Sequence, residues 1–157
     1  MLRAGGYTNI IRFGGEHVRE GGSITLVSGS PARKPRPGQV ALASVGASVE
    51  QLVRTVAVEL APKKVRVNCV SPGIIATPMF GEAGPPAGAT ASNLIPRAGD
   101  PAEVAKAILF VVDNDFVTGT TVDGELLYLG SYSCYLPLVE QFIFKNDHFA
   151  KTGSGQS

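Results

Sequence analysis

Cysteine is nearly missing from this chain. Cys69 and Cys134 are all that 157 residues hold, too few for a disulfide framework, and Cys69 falls inside a strand pattern. That usage fits a reducing interior, and the expected location is cytoplasmic. Charge of one sign is missing too. Fourteen Lys and Arg against 13 Asp and Glu leave a net charge of +1, which supplies no electrostatic footprint for a nucleic acid. No apolar run approaches the roughly 18–20 residues of a membrane span. Met1-Leu2-Arg3-Ala4-Gly5-Gly6 contains no apolar block of secretory type. Neither nucleic acid nor membrane is therefore expected as a partner. The chain has no G-x-G-x-x-G turn and no Walker-type lysine arrangement, so the common glycine-rich phosphate cradles are not here. No internal repeat occurs. His17 and His148 stand apart from other ligand-type residues, and no metal site is read.

What is present is enough apolar residue for a core: 44% hydrophobic against 17% charged, at a length of about one domain. The organising stretch runs from Val65 to Met79. Val65, Val67 and Cys69 alternate with Arg66, Asn68 and Val70, which predicts a strand over 65–70. Pro72-Gly73 stops it, and the loop that follows leaves the carboxyl end of a strand, where open α/β sheets bind ligands. Upstream, residues 7–19 predict a helix weakened by Gly14-Gly15. Ser23–Val27 predicts a short buried strand of the kind found in parallel sheets. Arg33, Lys34 and Arg36 then lie in a proline-rich stretch that reads as a solvated basic loop, with phosphate holding as the alternative. Residues 40–61 form the clearest helix, with Leu42, Val45, Val49, Leu52, Val53, Val56 and Leu60 on one face. Glu50 and Arg54 read as an i, i+4 pair on another face. Residues 78–99 form a long irregular connection, the expected lid. Asp100, Pro101 and Glu103 then open a second helix with a D-x-x-E capping box, whose inner face is Val104, Ala107, Ile108 and Val111. A third strand follows over 119–123. The order strand-helix-strand-loop-helix-strand predicts an α/β fold with a parallel sheet. Two units are expected: a domain over 1–130 and an atypical aromatic tail over 131–157, with Leu138, Val139, Phe142 and Ile143 able to share a helical face and a terminus flexible by composition.

Four stretches together resemble the short-chain dehydrogenase/reductase family: Val65–Met79, the helix segments Glu50–Arg54 and Ala57–Pro62, Gly99–Ala105, and Val117–Gly124. They occur in family order over 7–130. The resemblance implies a Rossmann-type doubly wound parallel sheet, here truncated to its last three strands, and an NAD(P)-dependent oxidoreductase acting on a small organic substrate as a homo-oligomer. The first four strands and their glycine-rich turn have no counterpart, which puts cofactor binding by this chain in doubt. The family's catalytic Ser, Tyr and Lys positions fall on Gly29, Leu42 and Gly46. A one-residue shift gives Ala41 and Val45, which serve no better. Ser28 is the weak substitute for the serine and Ser44, in the helix, is the other; both read first as structural hydroxyls with no activating base adjacent. The resemblance carries Pro72, Gly73, Ile75 and Thr77 over as the residues against the nicotinamide. The alternative is a non-catalytic remnant of the fold that acts through oligomerisation or association. A binding module resting on the tail is a third reading.

Overall fold

A computed structural model of the chain describes residues 2–91 and 93–124; the 131–157 tail and the helical face expected in it lie outside the described residues. Three parallel strands form the sheet in the order β1 (Ser23–Val27), β2 (Arg66–Ser71), β3 (Thr121–Asp123). Leu26 lies opposite Cys69, and Cys69 opposite Thr121. The helices are α1 (Leu2–Gly14), α2 (Val40–Leu60) and α3 (Pro101–Asp113). The expected elements are present with shifted ends. The first helix begins earlier than residue 7 and stops at Gly14, and a single tight turn, Gly15–His17, carries the chain on. The third strand is two residues shorter than expected.

β2 explains the pattern of the whole. Val65, Val67 and Cys69 pack with Leu26 against Val49, Val53 and Val56 of α2, and Tyr7 and Ile11 of α1 close the same cluster. Arg66, Asn68 and Val70 face the other side, where α3 brings the buried Val111. A strand covered on both faces has to be apolar along most of its length, and the two polar residues on the α3 face are consumed. The Arg66 guanidinium donates to the Val111 and Val112 carbonyls at 2.6 and 2.7 Å, satisfying the free carbonyl end of α3. Asn68 is fully buried; its amide donates to the Val117 carbonyl at 2.8 Å and its carbonyl accepts from the Thr120 N–H at 3.3 Å. These bonds bring the segment before β3 into register. Asn68→Ala is expected to cost about 2 kcal/mol, since it strands two backbone groups away from water; a urea denaturation curve reads it, and a midpoint matching wild type refutes the assignment.

α2 with the turn after it, Val40–Lys63, is long and apolar enough by length and composition to cross a membrane, at a mean hydropathy of 1.2. The expectation that nothing here approaches a span is corrected to that extent. In the fold it is a core helix, with Val49, Val53, Val56 and Ala57 buried against the sheet. α3 opens as expected. The Asp100 carboxylate accepts from the Ala102 N–H at 2.7 Å, and the Glu103 carboxylate accepts from the Asp100 N–H at 2.7 Å. Glu103 also receives both guanidinium nitrogens of Arg97, at 2.6 and 2.8 Å. These partners, Arg97 first, hold its carboxyl down at about 2, from an ordinary 4.5. A lowered folded pKa means stability present above the unfolded value and lost as pH falls towards about 2. Thermal melts between pH 5 and pH 2 are therefore expected to show a component that Glu103→Gln removes; parallel profiles for the two proteins would refute it.

Candidate active-site cavity

The loops leaving the carboxyl ends of β1 and β2 are held together by continuation of the ladder. The Ser28 N–H donates to the Val70 carbonyl at 2.9 Å and the Ser30 N–H to the Pro72 carbonyl at 3.0 Å. Gly29 is thereby set beside Pro72-Gly73. Over this edge opens a cavity of about 940 Å³. It is lined by Ser28 and Gly29 after β1, by Leu42, Val45 and Gly46 of α2, and by Pro72, Gly73, Ile75 and Thr77 after β2. Met79, Phe80, Ala89 and Asn93 of the long connection cover it, and Val104 and Ile108 of α3 close the far side. Gly29, Leu42, Gly46, Ser28, Pro72, Gly73, Ile75 and Thr77, site positions singled out from the sequence, line this one space, whereas Ser44 and Arg33 do not.

The three positions that the resemblance assigns to Ser, Tyr and Lys hold residues of other kinds. Gly29 is extended, and a Cβ there would meet only the Pro31 Cδ at 3.6 Å, so a side chain fits. Leu42 is 62% exposed and presents no proton. Gly46 is buried, and a Cβ there would lie 2.9 Å from the Ala32 Cβ. The glycine is what lets the Ser30–Ala32 turn sit on α2. Ser28 is corrected in one respect: an acceptor does lie beside it. Its hydroxyl donates to Glu50 Oε1 at 3.2 Å.

Glu50 is the residue the spacing misassigned. It does not pair with Arg54, which donates instead to Gln51 at 3.0 Å. It is buried and receives Arg33 Nε at 3.0 Å, while Arg33 Nη1 reaches Asp123 Oδ2 at 2.7 Å. Arg33 is thus no part of a solvated basic loop; it ties the loop after β1 to α2 and to the end of β3. Burial pushes the Asp123 carboxyl up, against the pull of Arg33 and with the help of Glu50. Burial likewise pushes up the thiol of Cys69, a free cysteine. Such a thiol is a packing group rather than a nucleophile. Among the described residues no His, Cys, Asp and Glu cluster has the makings of a metal site.

The loop after β2 carries groups with no hydrogen-bond partner among the described residues. Gly99 donates to the Ile74 carbonyl at 2.8 Å and accepts from the Ala76 N–H at 2.9 Å. In that parallel bridge of Ile75 with Gly99, the N–H and C=O of Ile75 itself turn to the opposite edge. A Cβ at Gly99 would lie 2.8 Å from the Ile75 Cδ1, the far end of a side chain that can turn aside. The Thr77 hydroxyl is buried and has no partner among the described residues, although buried polar atoms are nearly always satisfied. A planar carboxamide with one donor and one acceptor edge fits these groups, so the nicotinamide end of a dinucleotide is compatible with the residues present.

A twisted parallel sheet with helices on both faces and a cavity over its carboxyl edge defines a Rossmann-type α/β domain. Comparison with known proteins narrows the class. The family model described as enoyl-(acyl carrier protein) reductase matches residues 2–124. The short-chain dehydrogenase/reductase ATR9 of Stachybotrys chlorohalonatus is 38% identical over 120 residues, covering 71% of this chain and 45% of the relative. The 3-oxoacyl-[acyl-carrier-protein] reductase FabG of Thermotoga maritima is 41% identical over 112 residues, covering 68% and 46%. A crystal structure of a small-chain dehydrogenase in complex with NADPH superposes with a TM-score of 0.70 at 30% identity, covering 78% of this chain and 58% of that one. The chain belongs to the short-chain dehydrogenase/reductase family. It spans a little under half the length of these curated relatives.

Proposed function

We propose that this chain forms the nicotinamide-side wall and the substrate cavity of an NAD(P)-dependent oxidoreductase that interconverts carbonyl and alcohol groups on a small organic molecule, with catalysis impaired by its triad positions. The observation that carries the reading is the pairing, along the cavity lining, of Ile75 peptide groups and a buried Thr77 hydroxyl that have no hydrogen-bond partner among the described residues. Pro72, Gly73, Ile75 and Thr77 would hold the nicotinamide end. A bound dinucleotide supplies hydride transfer. The chain's own part is to orient the ring and to exclude water with the 78–91 segment. At Leu42 it has no phenol to move a proton, and at Gly46 no ammonium to lower a phenol's pKa.

Calorimetric titration of the purified chain with NADPH and NADH tests this. Saturable binding in the millimolar range or tighter is expected, weakened by Thr77→Val about three- to tenfold, the worth of one hydrogen bond. No saturation with either nucleotide overturns the reading for this chain, and an unchanged Thr77→Val affinity overturns the site.

The closed Gly46 position supports a second reading, a non-catalytic member that works through self-association. Ile10 and Phe13 on α1, and Leu109, Phe110 and Phe116 on or after α3, are exposed large apolar side chains. Sedimentation showing monomer alone at every concentration counts against it.

A further inference from the structure

Two stretches of the cavity lining come from different loops. Ser28, Gly29 and Ser30 follow β1, and Pro72 and Gly73 follow β2. Arg33 belongs to neither stretch, yet its guanidinium connects them by way of two acids. Its Nε donates to Glu50 Oε2 at 3.0 Å, and the other oxygen of Glu50 accepts from the Ser28 hydroxyl at 3.2 Å. Its Nη1 donates to Asp123 Oδ2 at 2.7 Å. Asp123 ends β3 in register with Ser71, and the Gly124 N–H next to it donates to the Ser71 carbonyl at 3.0 Å. A Cβ on Gly124 would lie 3.6 Å from the Pro72 Cα and 3.8 Å from the Gly73 nitrogen, so the end of β3 rests directly on the Pro72-Gly73 turn. Contacts thus run from Ser28 through Glu50, Arg33 and Asp123 to Gly124 and Gly73, with Arg33 as the middle link.

The chemistry of arginine suits that place. A planar guanidinium offers separate N–H groups to two carboxylates at once, whereas a lysine ammonium is a single point charge. The partners lie 17 and 90 positions away in the chain, so the bonds fix a tertiary arrangement rather than a local turn. A loop placed in advance binds a ligand more tightly than one the ligand must order. We infer that Arg33 is a positioning residue of the cavity: by joining Glu50 to Asp123 it sets the loop after β1 against the Pro72-Gly73 turn, in the arrangement a nicotinamide ring enters. Arg33 acts through these loops and not by contact with a ligand. Its effect on affinity rests on the reading of the cavity as a nucleotide site; its effect on the loops does not.

Hydrogen exchange on the full chain tests the inference. The Ser30 N–H, bonded to the Pro72 carbonyl at 3.0 Å, reports the contact between the two loops, and the Arg66 N–H, bonded to the Gly22 carbonyl at 3.0 Å, reports the other end of the same strand pair. Arg33→Ala is expected to raise the ratio of Ser30 to Arg66 exchange about tenfold or more, the sign of local opening. Asp123→Ala should do the same. Asp123→Asn keeps an amide oxygen for Arg33 Nη1 and should restore most of the protection. A residue that only stabilises the fold speeds both amides alike, and that result overturns the inference, as does an Asp123→Asn protein no better protected than Asp123→Ala. Should Arg33→Ala fail to fold, the two Asp123 variants decide by the same criteria. NADPH titrated into the same proteins reads the consequence: binding about tenfold weaker in Arg33→Ala and Asp123→Ala, and within about twofold of wild type in Asn68→Ala, which loses stability away from the cavity. Equal NADPH affinity in wild type and both Arg33→Ala and Asp123→Ala overturns the inference. A wild type that binds no NADPH overturns the nucleotide reading instead, and the exchange ratio alone then decides the role of Arg33.

Discussion

Replacing Glu50 by Ala is expected to cost about 2–4 kcal/mol of folding stability, read as a lower urea midpoint at unchanged slope. The loss comes from what is left behind. Arg33 would lose its buried carboxylate while keeping Asp123, and the Ser28 hydroxyl would lose its acceptor. Breaking a buried pair by removing one partner typically costs about 3–5 kcal/mol. The range is set lower because the Arg33 side chain is 25% exposed, against 6% for Glu50, and water takes over part of its solvation. Glu50→Gln keeps the shape and the bond to Ser28, and should lie between wild type and Ala. Glu59→Ala, at an exposed position on the same helix, should stay within about 0.5 kcal/mol. A Glu50→Ala protein as stable as that control would mean the network does not hold the loop after β1 in place.

The strands, the helices and their order were legible because each rests on local chemistry. The capping box needs residues within one turn, and both of its bonds are there. The β2 pattern needs only alternation, and it too is there. What was not legible depends on residues far apart in the chain. Glu50 meets Arg33 across 17 positions, and Arg33 meets Asp123 across 90, whereas the i, i+4 spacing to Arg54 sits in plain sight. One signal was available. Gly46, Val49, Val53, Val56 and Ala57 are the buried positions of α2, and Glu50 falls among them, so a carboxylate on the apolar stripe already demanded a partner. Leu42 and Val45 were placed on the same core face by periodicity. They line the cavity instead, because the sheet stops short of the first turn of α2 and the stripe runs on past it. Periodicity gives the face of a helix and is blind to where the surface beneath it ends.

Gly46→Ala is expected to destabilise the protein by about 1–3 kcal/mol, the cost of overpacking a filled core, even though Ala is favoured over Gly in a helix by about 1 kcal/mol. The added methyl would lie 2.9 Å from the Ala32 Cβ and 3.6 Å from the Ala32 Cα. The first distance demands movement and the second does not. Ala32→Gly should therefore rescue most of the loss, and the double-mutant cycle should return a coupling of about 1 kcal/mol or more. The same geometry bears on chemistry. Gly29→Ser is accommodated, with 3.6 Å to its nearest neighbour, and Leu42→Tyr goes into open space. Gly46→Lys does not follow, since its stem must pass the Ser30–Ala32 turn. Rebuilding the three family positions one by one is accordingly expected to fail at the lysine, and to succeed only with Ala32→Gly in the same chain. A Gly46→Ala protein at or above wild-type stability, with no coupling to Ala32, would show that the turn gives way freely. Position 46 would then be open to the family's lysine.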